Sequence, residues 1–269
     1  MKSRIWMAGV GVCLAMGMAG AVSGAEYYIN DTYVPGEDIY TSATGNDGNP
    51  GTAALPKATV GNVIGTCNLQ PGDVVYIDTG TYGSGAVISN TVVGTAVSGI
   101  RFQGSTNAAA GGTVFSGSGV NLKVQGSYLE LQDVRVVGGT EGIQLDGAKN
   151  CTIRRILALD NTLYAYNLAT TAHSNLFEYC LSKGVAFAIR TAGATPRDNA
   201  IAFCTFQTEG TAFSIASQCI TSMVHTILSG QQAFTGMSSI PLNGRRNIFN
   251  VGCAVQPALG AHDPEGGMT

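Results

Sequence analysis

A short pattern recurs from residue 99 onward, and it limits the possible folds more than any other feature of the chain. It reads GIRFQ from 99, GVNLK from 119, GIQLD from 142 and AYNLA from 165. AFAIR from 186, AFSIA from 212 and AFTGM from 233 follow. Each copy opens on Gly or Ala, and then an apolar residue, an outsider and usually a second apolar residue follow. The first apolar positions are Ile100, Val120, Ile143, Tyr166, Phe187, Phe213 and Phe234, spaced by 20 to 26 residues. Alternation over four or five residues marks a short strand with one buried face. Recurrence at a fixed period of this size marks a solenoid, one coil per repeat. The leucine-and-asparagine consensus of leucine-rich repeats is absent, and helical repeats would show a 3.6-residue period. A parallel β-helix remains.

In that architecture each strand pairs with its counterpart one coil away, about 4.8 Å along the axis. The alignment predicts an inward ladder of Ile143, Tyr166, Phe187, Phe213 and Phe234, with Leu122, Leu145, Leu168, Ile189 and Ile215 beside it. A second apolar set, Ile153, Leu176, Ile201 and Met223, follows about ten residues later in most coils, near turn residues Asn150, Asn175 and Asn199. Arg154 and Arg155 sit beside this set. Adjacent strand residues face opposite ways, so a straight strand would drive one guanidinium into the cylinder. The expectation is a bend that leaves both outside as a solvated corner.

Charge and targeting set the compartment. Only 12% of residues are charged, and there are 37 Gly, which suits a β-rich fold with many turns. Residues 1–25 read as a signal peptide. Lys2 and Arg4 precede an apolar run from Ile5 to Val22, and small Ser23 and Ala25 place the cut before Glu26. No later stretch is apolar and long enough to span a membrane. The expected location is secreted, cell-surface or periplasmic. Without Lys2 and Arg4 the chain carries 12 bases against 17 acids. Residues 101–252 hold 11 bases and 8 acids, an excess too small to imply nucleic acid. Export leaves Cys67, Cys151, Cys180, Cys204, Cys219 and Cys253, an even number that permits disulfides or, equally, buried core thiols. Cys180 and Cys204 fall at matching places in neighbouring coils. Their spacings give no zinc pattern, and no metal site or cofactor is expected. Nothing in the sequence sets an oligomeric state.

The repeat resembles the right-handed parallel β-helix superfamily of pectate-lyase-like proteins, secreted bacterial type. TSATGNDGNPGT at 41–52, PKATV at 56–60 and PGDVVYIDTGTY at 71–82 are similar to the N-terminal cap region of such proteins. The resemblance implies an all-β right-handed parallel β-helix. Its cap region and first strands would occupy 26–99, its coils 100–252, and 253–269 a tail cut short of the C-terminal cap. LPKATVGNVIGTCNL would supply a capping helix and DVVYID a strand. The superfamily's catalytic signatures do not carry over. His173, His225 and His262 lack the Gly-His-Gly of its hydrolases, and no cluster of acids like the calcium site of its lyases lies on the repeat face. Calcium would enter only with lyase chemistry.

The functional expectation is an exported β-helix that binds polysaccharide, acidic in character, or presents a rigid surface. A polysaccharide lyase or epimerase and a structural stalk are the alternatives. Ile189 facing inward puts Arg190 outward. The alignment places Gln103, Lys123, Asp146, Ala169, Arg190 and Ala216 in one outward column, and Arg101, Asn121, Gln144, Asn167, Ala188 and Ser214 in the next. The candidate binding residues are Arg190, Asp146, Lys123, Asn167 and Gln144. Lys123 and Asp146 are one coil apart and pair. Small Ala169 and Ala188 leave a shallow floor beside Arg190, whose fork suits sugar carboxylates.

Overall fold

The computed structural model describes residues 24–169, 171–192, 196–214, 219–235 and 247–250. Most of the expected signal peptide, Ile215, Ala216, Cys253, His262 and the tail lie outside the described residues. Among the described residues the strands form three parallel sheets of eight, seven and eight strands. The first sheet runs from Glu26–Ile29 through Val74–Ile77, Ile100–Gly104, Leu129–Gln132, Thr152–Arg154, Leu176–Glu178 and Asn199–Ala202 to Ile220–Val224. The second comprises Ala86–Ile88, Val120–Val124, Glu141–Asp146, Tyr164–Ala169, Phe187–Ala192, Thr211–Ser214 and Gln232–Thr235. The third contains, among others, Val134–Val137, Leu157–Leu159, Leu181–Lys183, Thr205–Gln207 and Ile227–Ser229. The chain visits the first, third and second sheets in turn on each full coil, which makes it a parallel β-helix.

A single residue turns the first sheet into the third. Asp133, Arg155, Tyr179, Phe203 and His225 occupy this corner, all with φ between 48° and 58°. Left-handed backbone costs an L-residue roughly 1–2 kcal/mol. Side-chain stacking offsets part of that cost, because the same corner repeats one rung higher. The rings of Tyr179 and Phe203 lie 5.0 Å apart, and those of Phe203 and His225 4.9 Å apart, nearly coplanar in direction. The bend also settles the two arginines. Arg155 turns outward at φ 50° and grips both carboxylate oxygens of Asp133 at 2.6 Å. Arg154 joins Glu130 and Glu178 at 3.5 and 2.6 Å. The corner is outside, as expected, but ion-paired rather than merely solvated. Burial alone would raise the Asp133 carboxyl; hydrogen bonds from Arg155 and Gln103, and the arginine charge, outweigh it and hold the group below its ordinary range.

The inward ladder differs in register from the sequence alignment. Backbone pairing runs Leu122, Ile143, Tyr166, Ile189, Phe213. All five are essentially inaccessible. Phe187 pairs instead with Tyr164 and stays half-exposed, so its expected place inside is overturned. The cause is a tight bend just before the ladder residue, filled by Gly142, Ala165, Ala188 and Ala212. A Cβ on Gly142 would lie 2.6 Å from the Ala165 carbonyl oxygen. Ala188, not Ala186, is the small residue this bend demands, and the alignment had matched the wrong alanine. Ile100, in the first copy of the repeat, is not equivalent to the later copies, because Ile100–Gly104 belongs to the first sheet. In the second apolar set Phe177 replaces Leu176: pairing runs Ile153, Phe177, Ile201, Met223.

Buried polar groups continue the stacking. Asn175 and Asn199 are fully enclosed at the corner that leads into the first sheet. The Asn175 side-chain amide donates to Asn199 Oδ1 at 3.0 Å and accepts the Cys151 N–H at 3.0 Å. Cys151, Cys180, Cys204 and Cys219 are buried free thiols, and Cys67 is a partly exposed one. Cys180 and Cys204 are neighbours, with the Cys180 N–H donating to Cys204 Sγ at 3.4 Å. At the N-terminal end, helix Val60–Thr66 starts on the Thr59 side chain and buries Val60 and Val63. Asp78 is fully buried and collects backbone N–H groups from Ile39, Tyr40 and Thr41 at 2.7 to 2.9 Å, tying the preceding loop to the end of strand Val74–Ile77. No helix among the described residues is long and apolar enough to cross a membrane.

Candidate functional site

The outward side of the second sheet carries the candidate residues, in an order set by the corrected register. Lys123, Gln144, Asn167, Arg190 and Ser214 fall in one column, each in register with the next. Four of the five residues singled out from the sequence therefore share a column, where the alignment had split them between two. Asp146 lies two positions further along its strand, in register with Ala169. It still meets Lys123, diagonally, at 3.8 Å, and accepts the Gln125 amide at 3.0 Å. Gln103 and Arg101 belong to the first sheet and leave this face. Ala188 and Asn121 are fully buried, so the floor expected beside Arg190 is not formed by Ala188.

A second outward column flanks the first, made of Val120, Glu141, Tyr164, Phe187 and Thr211. Neither Glu141 nor Tyr164 was singled out in the sequence, and Phe187 was expected inside. Each stands two positions before an inward residue, so alternation alone would put it inside; the break in pairing at Gly142, Ala165 and Ala188 turns it outward. Glu141 Oε2 accepts from Asn167 at 2.9 Å and Gln144 at 3.2 Å. The Arg190 guanidinium carbon lies 4.8 Å from the centre of the Tyr164 ring, which in turn packs against Phe187 at 5.6 Å. Asn167 is only 2% exposed, and its Oδ1 is buried without a hydrogen-bond partner. The face thus offers a cation held over an aromatic ring, amides fixed by a carboxylate, and partly open aromatic surface.

Among the described residues no three of His, Cys, Asp and Glu come together as a metal-binding group. His173 and His225 stand at different corners, half-exposed and exposed respectively.

Residues 60–226 match the model of the family described as periplasmic copper-binding protein (NosD). The chain belongs to the NosD family. Among solved structures it is similar to an alginate lyase from Paenibacillus sp. str. FPU-7, at 17% identity and a TM-score of 0.52, covering 71% of this chain and 72% of that one. It is also similar to a mannuronic acid specific polysaccharide family 6 lyase from human gut microbiota, at 21% identity and a TM-score of 0.51. That match covers 70% of this chain and half of the lyase. At these identities the likeness shows the β-helix fold of this NosD-family chain. No curated protein sequence matches it.

Proposed function

We propose that this NosD-family chain works outside the cytoplasm as a rigid β-helix that binds an acidic polysaccharide along the outer face of its second sheet. The observation that carries the reading is the register column Lys123, Gln144, Asn167 and Arg190, flanked by Tyr164. Rungs are about 4.8 Å apart, close to the length of one sugar unit, so the column can meet successive sugars of one chain. Arg190 has the planar fork that binds a carboxylate bidentately, and Tyr164 holds it. Gln144 is oriented by Glu141, which leaves its carbonyl oxygen for a sugar hydroxyl, and the buried Asn167 amide fixes Glu141 from beneath. Tyr164 and Phe187 give apolar surface for sugar rings. The family's description as periplasmic supports the location, as does the basic and apolar leader of the sequence.

Copper, named in the family's description, does not fit the described residues. Cys180 and Cys204 are the closest soft donors there, and both are sealed in the core. Burial, and the hydrogen bond that the Cys204 thiol gives to the Cys180 sulfur, drive the Cys204 thiol far up, so it keeps the proton a metal must displace. No step through copper is derived. Affinity electrophoresis in a gel containing polygalacturonate tests the binding reading. Arg190→Ala is expected to lose most of the retardation, while Arg154→Ala, whose guanidinium is spent on Glu130 and Glu178, keeps it. Equal retardation of both variants and the parent refutes the role of this face. Product absorbance in the same mixtures, with and without calcium, reads out lyase chemistry directly.

A further inference from the structure

A second basic feature lies away from that face, at the corner between the second and first sheets. Isolated parallel bridges stack Ser127, Lys149, His173 and Arg197 in one column, each one coil above the last. Lys149 and Arg197 are exposed and His173 is half-exposed. The residue after each base turns the chain: Asn150, Ser174 and Asp198 have φ between 53° and 57°. That turn recurs at Tyr128, Asn150, Ser174 and Asp198, so the backbone positions of the three bases are held at the rung spacing of about 4.8 Å.

Groups that face His173 are Lys149, Arg197, Asp198 and Ser174. Its Nδ1 lies 3.1 Å from the Ser174 hydroxyl. Asp198 answers Arg197 at 3.8 Å, with both side chains largely in water. Partial burial, then the charges of Lys149 and Arg197, lower the His173 pKa from 6.5, with Asp198 opposing. The column therefore carries two positive charges near neutral pH and gains a third when the medium turns acidic. Three like charges on adjacent rungs repel one another, and a linear anion laid along the axis relieves that repulsion.

We infer that Lys149, His173 and Arg197 form an anion-binding strip for an acidic polysaccharide with about one acid group per coil, and that His173 tightens the hold as pH falls. The inference rests on the acidic-polysaccharide reading above but uses a different surface. Isothermal titration with polygalacturonate, with dextran sulfate and with neutral dextran tests it, at about pH 5 and about pH 7.5, both clear of the carboxylate range. The parent is expected to bind the charged polymers roughly fivefold tighter at the lower pH. His173→Gln is expected to keep the binding near neutrality and lose the acid gain. Lys149→Ala/Arg197→Ala is expected to bind roughly tenfold more weakly at both values. Polygalacturonate against dextran sulfate shows whether carboxylate or sulfate is preferred. Thermal unfolding of each variant checks that the exposed substitutions leave the fold intact. Unchanged binding and an unchanged acid gain in the column variants overturn the inference, whatever Arg190→Ala does. Loss in Arg190→Ala alone leaves the sheet face standing without the strip. Loss in the column variants alone supports the strip and removes the sheet face. Binding of neutral dextran as tight as that of polygalacturonate overturns both.

Discussion

Ile189→Ala and Phe187→Ala, two residues apart in one strand, separate the observed register from the one suggested by the repeat. Ile189 is fully enclosed between Tyr166 and Phe213 on neighbouring rungs. Truncation to Ala removes three carbons, about 2.4 kcal/mol of transfer free energy at ~0.8 kcal/mol each. Parallel rungs cannot close the gap without breaking ladder hydrogen bonds, so a cavity term raises the cost to roughly 3–4 kcal/mol. Phe187 is half-exposed and makes one ring contact, with Tyr164 at 5.6 Å. Its loss is expected to cost about 1 kcal/mol. For a chain of this size each kcal/mol shifts the midpoint by roughly 2–4 °C. Ile189→Ala is thus expected to melt at least about 6 °C below the parent and Phe187→Ala no more than about 4 °C below. Differential scanning calorimetry, with urea unfolding in parallel, measures both. A Phe187→Ala loss as large as that of Ile189→Ala would falsify the register and with it the column of Lys123, Gln144, Asn167 and Arg190.

The remaining predictions concern the other stacked features. Asn175→Ala strands the Cys151 N–H in the core and removes one of the two hydrogen bonds to Asn199 Oδ1, and urea midpoints are expected to show a loss of about 1–3 kcal/mol. Asp133 titrates lower in the folded protein than in the unfolded chain, so its contribution is present above about pH 4 and fades as pH falls below it. Asp133→Asn is expected to flatten that part of the stability profile, and an unaltered profile counts against the Arg155 pairing. Gly184→Ala places a Cβ 2.2 Å from Asp160 Oδ1 at φ 68°; a drop of more than about 1 kcal/mol is expected, and no drop would show that the turn relaxes freely. A thiol reagent is expected to leave Cys151, Cys180, Cys204 and Cys219 unmodified until denaturant is added, as judged by mass. Burial holds Cys151 up at about 11 and Cys219 at about 12, so rapid labelling of the native protein would contradict the packing.

The β-helix itself was legible because a solenoid writes its period into the chain: Ile143, Leu145, Tyr166 and Leu168 alternate with outward residues one coil apart, and only stacking buries both pairs. The bend at Arg155 was legible for the same reason, since a guanidinium has no place inside an apolar cylinder. Register was not. AFAIR contains two small residues, Ala186 and Ala188, and one-dimensional alignment has no means of choosing between them. The choice is made by pairing between rungs: the position before each ladder residue is buried, and at Gly142 the carbonyl of Ala165 leaves no room even for a Cβ. The same two-residue correction brought Arg190 beside Asn167 and over Tyr164. So the sequence determined the coil, the inward alternation and the supply of outward polar groups. Which of those groups share a column depended on a backbone contact between coils more than 20 residues apart, and only the tertiary structure decides such a contact.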